Sequence, residues 1–138
     1  MNLFIDTSSR DVMVIALYQG DSLIGRRRLS APRRQAEKLL SSIDALLKVK
    51  NVKLSDLSKI MVNNQGDSFT SLRIGVITAN ALSYALQIPV EVAAPDAPLK
   101  KRPALKKILN YKKFGHYRLV EPVYTREPNI GQVKKSFL

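Results

Sequence analysis

The chain has no cysteine, no tryptophan, a single histidine (His116) and six glycines in 138 residues. Without cysteine there is no disulfide framework, no thiolate nucleophile and no thiolate metal site. With His116 alone, neither a histidine-rich metal site nor a serine–histidine triad can be assembled, and no metal is expected. No apolar run approaches the roughly 20 residues needed to cross a bilayer, so no membrane partner is expected. The N-terminus, MNLFIDTSS, lacks a basic segment ahead of its apolar one and does not read as a signal peptide. The cytoplasm is the default compartment. Acidic residues are scarce as well: 11 against 23 Lys+Arg, for a formal net charge of +12.

What is present is enough apolar material for one core. Hydrophobic residues make up 45% of the chain, which excludes wholesale disorder, and the length fits one domain. The positive charge is unevenly placed. Residues 1–96 hold 12 Lys+Arg and 9 Asp+Glu, a balance of +3; residues 97–138 hold 11 and 2, a balance of +9. Such a segment is attracted to phosphate backbones or acidic protein surfaces without sequence specificity. A solvated surface that keeps a small protein soluble has the same composition, so both readings stand.

Hydrophobic patterning divides residues 1–94 into alternating elements. Met1–Ser8 reads as a strand ending in the turn cluster Asp6-Thr7-Ser8-Ser9, and Val12–Tyr18 as a second. Gln19-Gly20-Asp21-Ser22 makes a hairpin into a third strand, Leu23–Ser30. Beyond Pro32, Leu39, Leu40, Ile43, Leu46 and Leu47 recur at helical spacing, predicting a helix over 34–49. Lys59–Val62 reads as a buried strand. A second helix runs from Ser68 or Thr70 to Gln87, stopped by Pro89, and Val90–Val92 is a fifth strand. A three-strand meander followed by two crossover strands predicts an α/β fold, a mixed five-stranded sheet with helices packed on it. After Ala94, Pro95, Pro98 and Pro103 punctuate a basic connector. Leu105–Phe114 reads as a short amphipathic helix, with Leu105, Ile108, Leu109 and Lys112 setting its faces, and Tyr117–Tyr124 as a last strand. The expected division is a lobe over 1–94 and a basic connector, short helix and tail over 95–138.

The segment 66-GDSFTSLRIGVITANALSYALQIPV-90 poses the functional question. A glycine, the hydroxyls of Ser68, Thr70 and Ser71, and Arg73 run straight into a helix, a junction that can bind phosphate through free N–H groups and the positive dipole end. Against that, Asp67 places a carboxylate where phosphate would sit, and an N-cap at Asp67 or Ser68 explains the same residues. Asp6 stands at the end of the first strand, where a turn-forming aspartate is the simpler reading.

The helix itself is apolar nearly all round. Gly75, Ala79 and Ser83 recur every fourth residue, which lets another helix approach closely. Either the first helix covers this face internally, or the face meets another molecule.

The element order, with an Asp-Thr-Ser turn after the first strand, is that of the actin-like ATPase or ribonuclease-H-like lobe. Phe4-Ile5-Asp6-Thr7-Ser8, Glu37-Lys38-Leu39-Leu40 with Ile43-Asp44, and Ser68-Phe69-Thr70 with Leu72-Arg73-Ile74-Gly75 and Ala79 resemble the TsaB (YeaZ) family. Ile88-Pro89-Val90, and Glu121-Pro122-Val123-Tyr124-Thr125-Arg126-Glu127-Pro128 near the end, are similar to it as well. The resemblance covers residues 3–94 continuously and then 120–130. It departs in Asn63-Asn64-Gln65-Gly66-Asp67, which replaces a glycine-rich approach, in Ser71 for a glycine and in Gln35 for a histidine. Few residues separate the fifth strand from the C-terminal motif, so the chain is expected to be a shortened form lacking most of the second lobe.

The resemblance implies a non-catalytic partner subunit in making threonylcarbamoyladenosine at position 37 of transfer RNA. The enzyme is then TsaD, which in the family uses threonylcarbamoyl-adenylate and carries the metal. The implied TsaD contact is a helical surface of Leu39, Ile43, Leu46, Arg73, Gly75, Val76, Ala79, Asn80 and Ser83. TsaE is a further partner, and the same surface can serve a homodimer when TsaD is absent. Asp6, Thr7, Ser8, Ser68 and Thr70 become vestigial phosphate-loop positions, and no cofactor is expected. Lys100, Lys101, Arg102, Lys106, Lys107, Lys112 and Lys113 are the candidates for contact with the tRNA. An independent basic RNA-binding module is the alternative from a different class.

Overall fold

The computed structural model describes residues 1–66, 68–93, 111–114 and 117–124. In chain order the elements are β1 (Asn2–Asp6), β2 (Val12–Gln19), β3 (Ser22–Ser30), α1 (Gln35–Val49), β4 (Lys59–Val62), β5 (Gln65–Gly66), α2 (Phe69–Leu86), β6 (Val90–Val92), β7 (Tyr111–Phe114), β8 (Tyr117–Val120) and β9 (Val123–Tyr124).

The main sheet has the order β3-β2-β1-β4-β6, the mixed five-stranded arrangement expected from the meander and two crossovers. The first strand lies at its centre. β1 runs antiparallel to β2, with Phe4 opposite Ala16, and parallel to β4, with Leu3 opposite Ile60. α1 and α2 are the connections that parallel neighbours require. Gly20 takes φ +56 at the first central position of the β2–β3 hairpin, where a II′ turn demands glycine.

Both faces of the sheet are buried at its inner strands, and β3 at the edge is the exception. Leu3, Ile5, Ile15, Leu17, Ile60, Val62, Val90 and Val92 join Leu39, Ile43, Leu46, Leu47, Val76 and Ala79 of the helices in one core. Phe4, Ala16, Tyr18, Met61 and Ala93 form a second cluster on the opposite side. This explains why β1 and β4 read as near-continuous apolar runs in the sequence. Burial pushes the Tyr18 phenol above its usual value, while the nearby Arg26 guanidinium pulls it down.

Each helix ends in a left-handed residue. Asn51 (φ 53) closes α1, with Val52 N–H donating to Leu47 O and Asn51 N–H to Lys48 O. Gln87 (φ 57) closes α2 with the equivalent pair, Ile88 N–H to Ser83 O and Gln87 N–H to Tyr84 O, ahead of Pro89. Both are Schellman motifs, which satisfy the last carbonyls of the helix.

The C-terminal elements differ from expectation. Tyr111–Phe114 is a strand, β7, paired antiparallel with β8, and not the end of an amphipathic helix. Two β-rich runs separated by Gly115-His116 are a short-range hairpin signal that outweighs helical spacing. Leu105, Ile108 and Leu109 lie outside the described residues. The expected strand over 117–124 is split at Glu121-Pro122 into β8 and β9, because proline cannot donate to a ladder. β9 pairs in parallel with β5, beside the start of α2.

Candidate functional site

The turn after β1 and the start of α2 meet, and their polar atoms are engaged with one another. Asp6 Oδ1 accepts from the Ser8 N–H at 2.9 Å, the Ser8 hydroxyl at 2.6 Å and the Asn63 amide at 3.2 Å. The first of these makes an Asx-turn, so Asp6 is a turn-forming residue here. Thr7 is fully buried. Its hydroxyl donates to the Ser71 carbonyl at 2.6 Å and accepts from the Gly75 N–H at 3.0 Å. Ser71 and Gly75 are the pair of backbone groups that an α-helix joins directly, so Thr7 inserts a hydroxyl beside one rung of α2.

That insertion demands glycine at 75: an added Cβ would lie 2.3 Å from Thr7 Oγ1. Gly66 presses on Ser8 in the same way, at 2.8 Å from the Ser8 Cβ. Ser68 occupies the N-cap position of α2 without making a capping bond, contrary to the capping role expected of it. Its hydroxyl pairs with that of Ser71 instead. Thr70 is exposed, and Asp67 lies outside the described residues. Among the described residues no group of three or more His, Cys, Asp or Glu converges.

The C-terminal segment closes over this junction. The Asn64 side-chain amide donates to the Glu121 carbonyl at 2.8 Å, and the Asn64 backbone carbonyl accepts from Val123 N–H. Asn80 forms a two-point bond with the Val120 backbone, its Nδ2 donating at 2.8 Å and its Oδ1 accepting at 2.9 Å. Phe69 stacks on Tyr124 with centroids 4.2 Å apart, and the Arg73 guanidinium sits 5.5 Å from the Phe69 ring centre. The Ser-Phe-Thr and Pro-x-Tyr motifs, some 50 residues apart in the chain, are therefore neighbours in space. Sequence reasoning did not single out Asn64, Phe69 or Tyr124 for this role, and only the adjacency of their motifs to helix and strand ends pointed to it.

The helix surface requires a correction. Gly75, Val76, Ala79 and Ser83 face into the lobe, and Leu39, Ile43 and Leu46 of α1 are core residues with them. The small residues admit Thr7 and the sheet, not a helix of another molecule. Ala79 is 0% exposed, whereas Ala85, on the other side of the helix, is exposed. Asn80 is engaged with Val120, and of the nine interface candidates only Arg73 is exposed. The outward stripe of α2 is Arg73, Ile77, Ala81 and Tyr84, with Ile77 59% and Tyr84 60% exposed. On α1, Leu40 is 58% exposed.

Lys112 and Lys113 fall in β7; Lys100, Lys101, Arg102, Lys106 and Lys107 lie outside the described residues.

The TsaB of Bacillus subtilis (strain 168), a tRNA threonylcarbamoyladenosine biosynthesis protein, is 32% identical over 92 residues, 67% of this chain and 40% of that protein. YeaZ from Pseudomonas aeruginosa superposes with a TM-score of 0.62 at 29% identity, over 67% of this chain and 43% of its own. Over this lobe the chain matches the TsaB (YeaZ) family in sequence and in fold. A second solved structure, of an uncharacterised protein with similarity to peptidase YeaZ from Pseudomonas aeruginosa, gives the same TM-score and identity over 42% of its length. The model of the family TsaD, tRNA N6-adenosine threonylcarbamoyltransferase, matches residues 29–92. The chain spans less than half the length of the TsaB-family relatives it matches. The actin-like, ribonuclease-H-like fold expected from the element order is the fold of this family's lobe.

Proposed function

We propose that the protein is a non-catalytic subunit of the tRNA threonylcarbamoyladenosine machinery in the cytoplasm, which docks and organises TsaD through the outward face of α2. Residues 1–94 serve as the docking lobe and residues 95–138 as its basic connector and tail. TsaE is a further partner, and the same face supports a homodimer when TsaD is absent.

The observation that carries this reading is the outward stripe of α2, in which Ile77 and Tyr84 stand two turns apart on one face with Ala81 between them. Large apolar side chains aligned on one helix face and rimmed by Arg73 fit an interface better than they fit water. The junction beneath supports a non-catalytic role, because the Asp6 carboxylate and Thr7 hydroxyl are held by Ser8, Asn63, Ser71 and Gly75. No described helix is long and apolar enough to cross a membrane.

The test is co-expression with the TsaD of the same organism, followed by size exclusion. Ile77→Arg with Tyr84→Ala is expected to abolish co-elution while leaving the melting temperature within a few degrees of wild type, since surface changes lie within about 0.5 kcal/mol. Normal co-elution of this folded variant would place the interface elsewhere. Calorimetry with ATP and magnesium addresses the junction separately, and sub-micromolar binding would overturn the non-catalytic reading.

A further inference from the structure

The lobe carries a second charged feature, distant in sequence from the basic tail. Residues 10–38 hold seven Lys+Arg (Arg10, Arg26, Arg27, Arg28, Arg33, Arg34 and Lys38) against Asp11, Asp21 and Glu37, a balance of +4. Residues 1–93 as a whole balance at +4, from 12 Lys+Arg and 8 Asp+Glu, so this stretch accounts for the net charge of the lobe.

The fold draws these arginines to one corner. Val12 pairs with Ser30 and Val14 with Arg28, which brings the start of β2 beside the end of β3. The Ala31 N–H donates to the Asp11 carbonyl at 2.9 Å, and the Gln35 amide donates to the carbonyls of Ser9 at 2.8 Å and Arg10 at 3.2 Å. Arg10, Arg33 and Arg34 thus surround one junction, where β3 turns into α1. Arg26 and Arg28 extend the patch along the outer strand, on one face of it and about 7 Å apart. All five are exposed. Arg34 is within 3.4 Å of Glu37, an exposed contact; among the described residues no ion pair engages Arg10, Arg26, Arg28 or Arg33.

Two details separate this corner from ordinary protection of a sheet edge. Edges are usually blunted with lysine. Here every basic residue up to position 34 is arginine, whereas the five from 38 to 59 are all lysine. Guanidinium forks bind phosphate bidentately, which ammonium groups cannot do. Second, Arg33 holds φ +58, a left-handed conformation that is costly for a residue with a Cβ and that glycine would adopt freely.

We propose that this arginine corner binds the phosphodiester backbone of RNA. It lies at the β3 edge of the sheet, whereas α2 packs over β1, β4 and β6, so it is separate from the TsaD-docking face. The proposal rests on the functional reading above only in the choice of RNA used to probe it.

The experiment measures binding of the full chain to an unmodified tRNA transcript by fluorescence anisotropy, from about 50 to 200 mM salt. Arg26→Gln/Arg28→Gln is compared with Lys48→Gln/Lys53→Gln, which removes the same charge from the C-terminal end of α1, on the other face of the sheet. The arginine double variant is expected to lower the slope of log affinity against log salt by about 1.5–2 units, and the lysine variant by much less. Arg26→Lys/Arg28→Lys is expected to keep the slope but weaken binding several-fold. All variants should melt as wild type and still co-elute with TsaD. Equal slopes for the two glutamine doubles would assign RNA binding to bulk charge and overturn the proposal. Loss of TsaD co-elution with an unchanged RNA slope would make the corner a protein interface, and would overturn it too.

Discussion

The junction between β1 and α2 and the corner between β3 and α1 are both polar turns leading into a helix, and they dispose of their polar groups in opposite ways. At the junction, Asp6, Thr7 and Ser8 turn inward and satisfy each other, Asn63 and the backbone of α2. At the corner, carbonyls and the Gln35 amide hold the backbone, while five guanidiniums stand outward. The first arrangement fixes a helix on a sheet. The second presents charge outward, on a frame held by backbone and amide hydrogen bonds.

Substitution should therefore be severe at the junction and mild at the corner. The largest effect is expected at Ala79, on the same inward face of α2 as Gly75. Ala79→Arg would bury an unpaired charge at a cost of about 3–5 kcal/mol, enough to unfold many domains of this size. Ala85→Arg, on the outside of the same helix, should stay within about 0.5 kcal/mol. Thermal melts of the pair measure the difference, and a tolerated Ala79→Arg would mean that the inward face is not core.

Gly75→Ala comes next. Its methyl would collide with the Thr7 hydroxyl, and overpacking of this kind costs about 1–3 kcal/mol. Adding Thr7→Ala removes the colliding oxygen, so the double variant should be less destabilised than the sum of the two single variants. Strict additivity in denaturant melts would show that the two residues do not meet.

The smallest effect has the opposite sign. Arg33→Gly relieves a left-handed arginine at an exposed site and should leave stability unchanged or raised by up to about 1 kcal/mol, while weakening RNA binding. A clear loss of melting temperature would make Arg33 a structural residue and erase the contrast between the two sites.

The sheet was legible in the sequence because Gly20, Pro32 and Pro89 punctuate apolar runs of distinct length, and a meander followed by two crossovers admits few arrangements. The orientation of α2 was not. A helix apolar nearly all round carries little phase, so its small-residue stripe marked a close approach without saying what approaches. It is a threonine from the first turn. The hairpin of β7 and β8 was obscured because Leu105–Phe114 also has helical spacing, which competed with the Gly-His signal beyond it. The docking of Val120–Tyr124 depends on side-chain-to-backbone bonds from Asn64 and Asn80 to residues 40 or more positions away, a distance at which sequence pattern is silent. The arginine corner escaped notice for another reason: a charge balance over 96 residues averages away a cluster that only strand pairing assembles.

The Thr7 hydroxyl beside the Ser71–Gly75 rung also bears on how the lobe opens. Its hydrogen bonds join residues 64 and 68 positions apart, so they form only after the central strand and the second helix have met. Fraying at either end of α2 leaves them untouched. The Gly75 amide proton thus exchanges with solvent only when the strand and the helix part company, and its exchange rate reports the opening of the whole lobe.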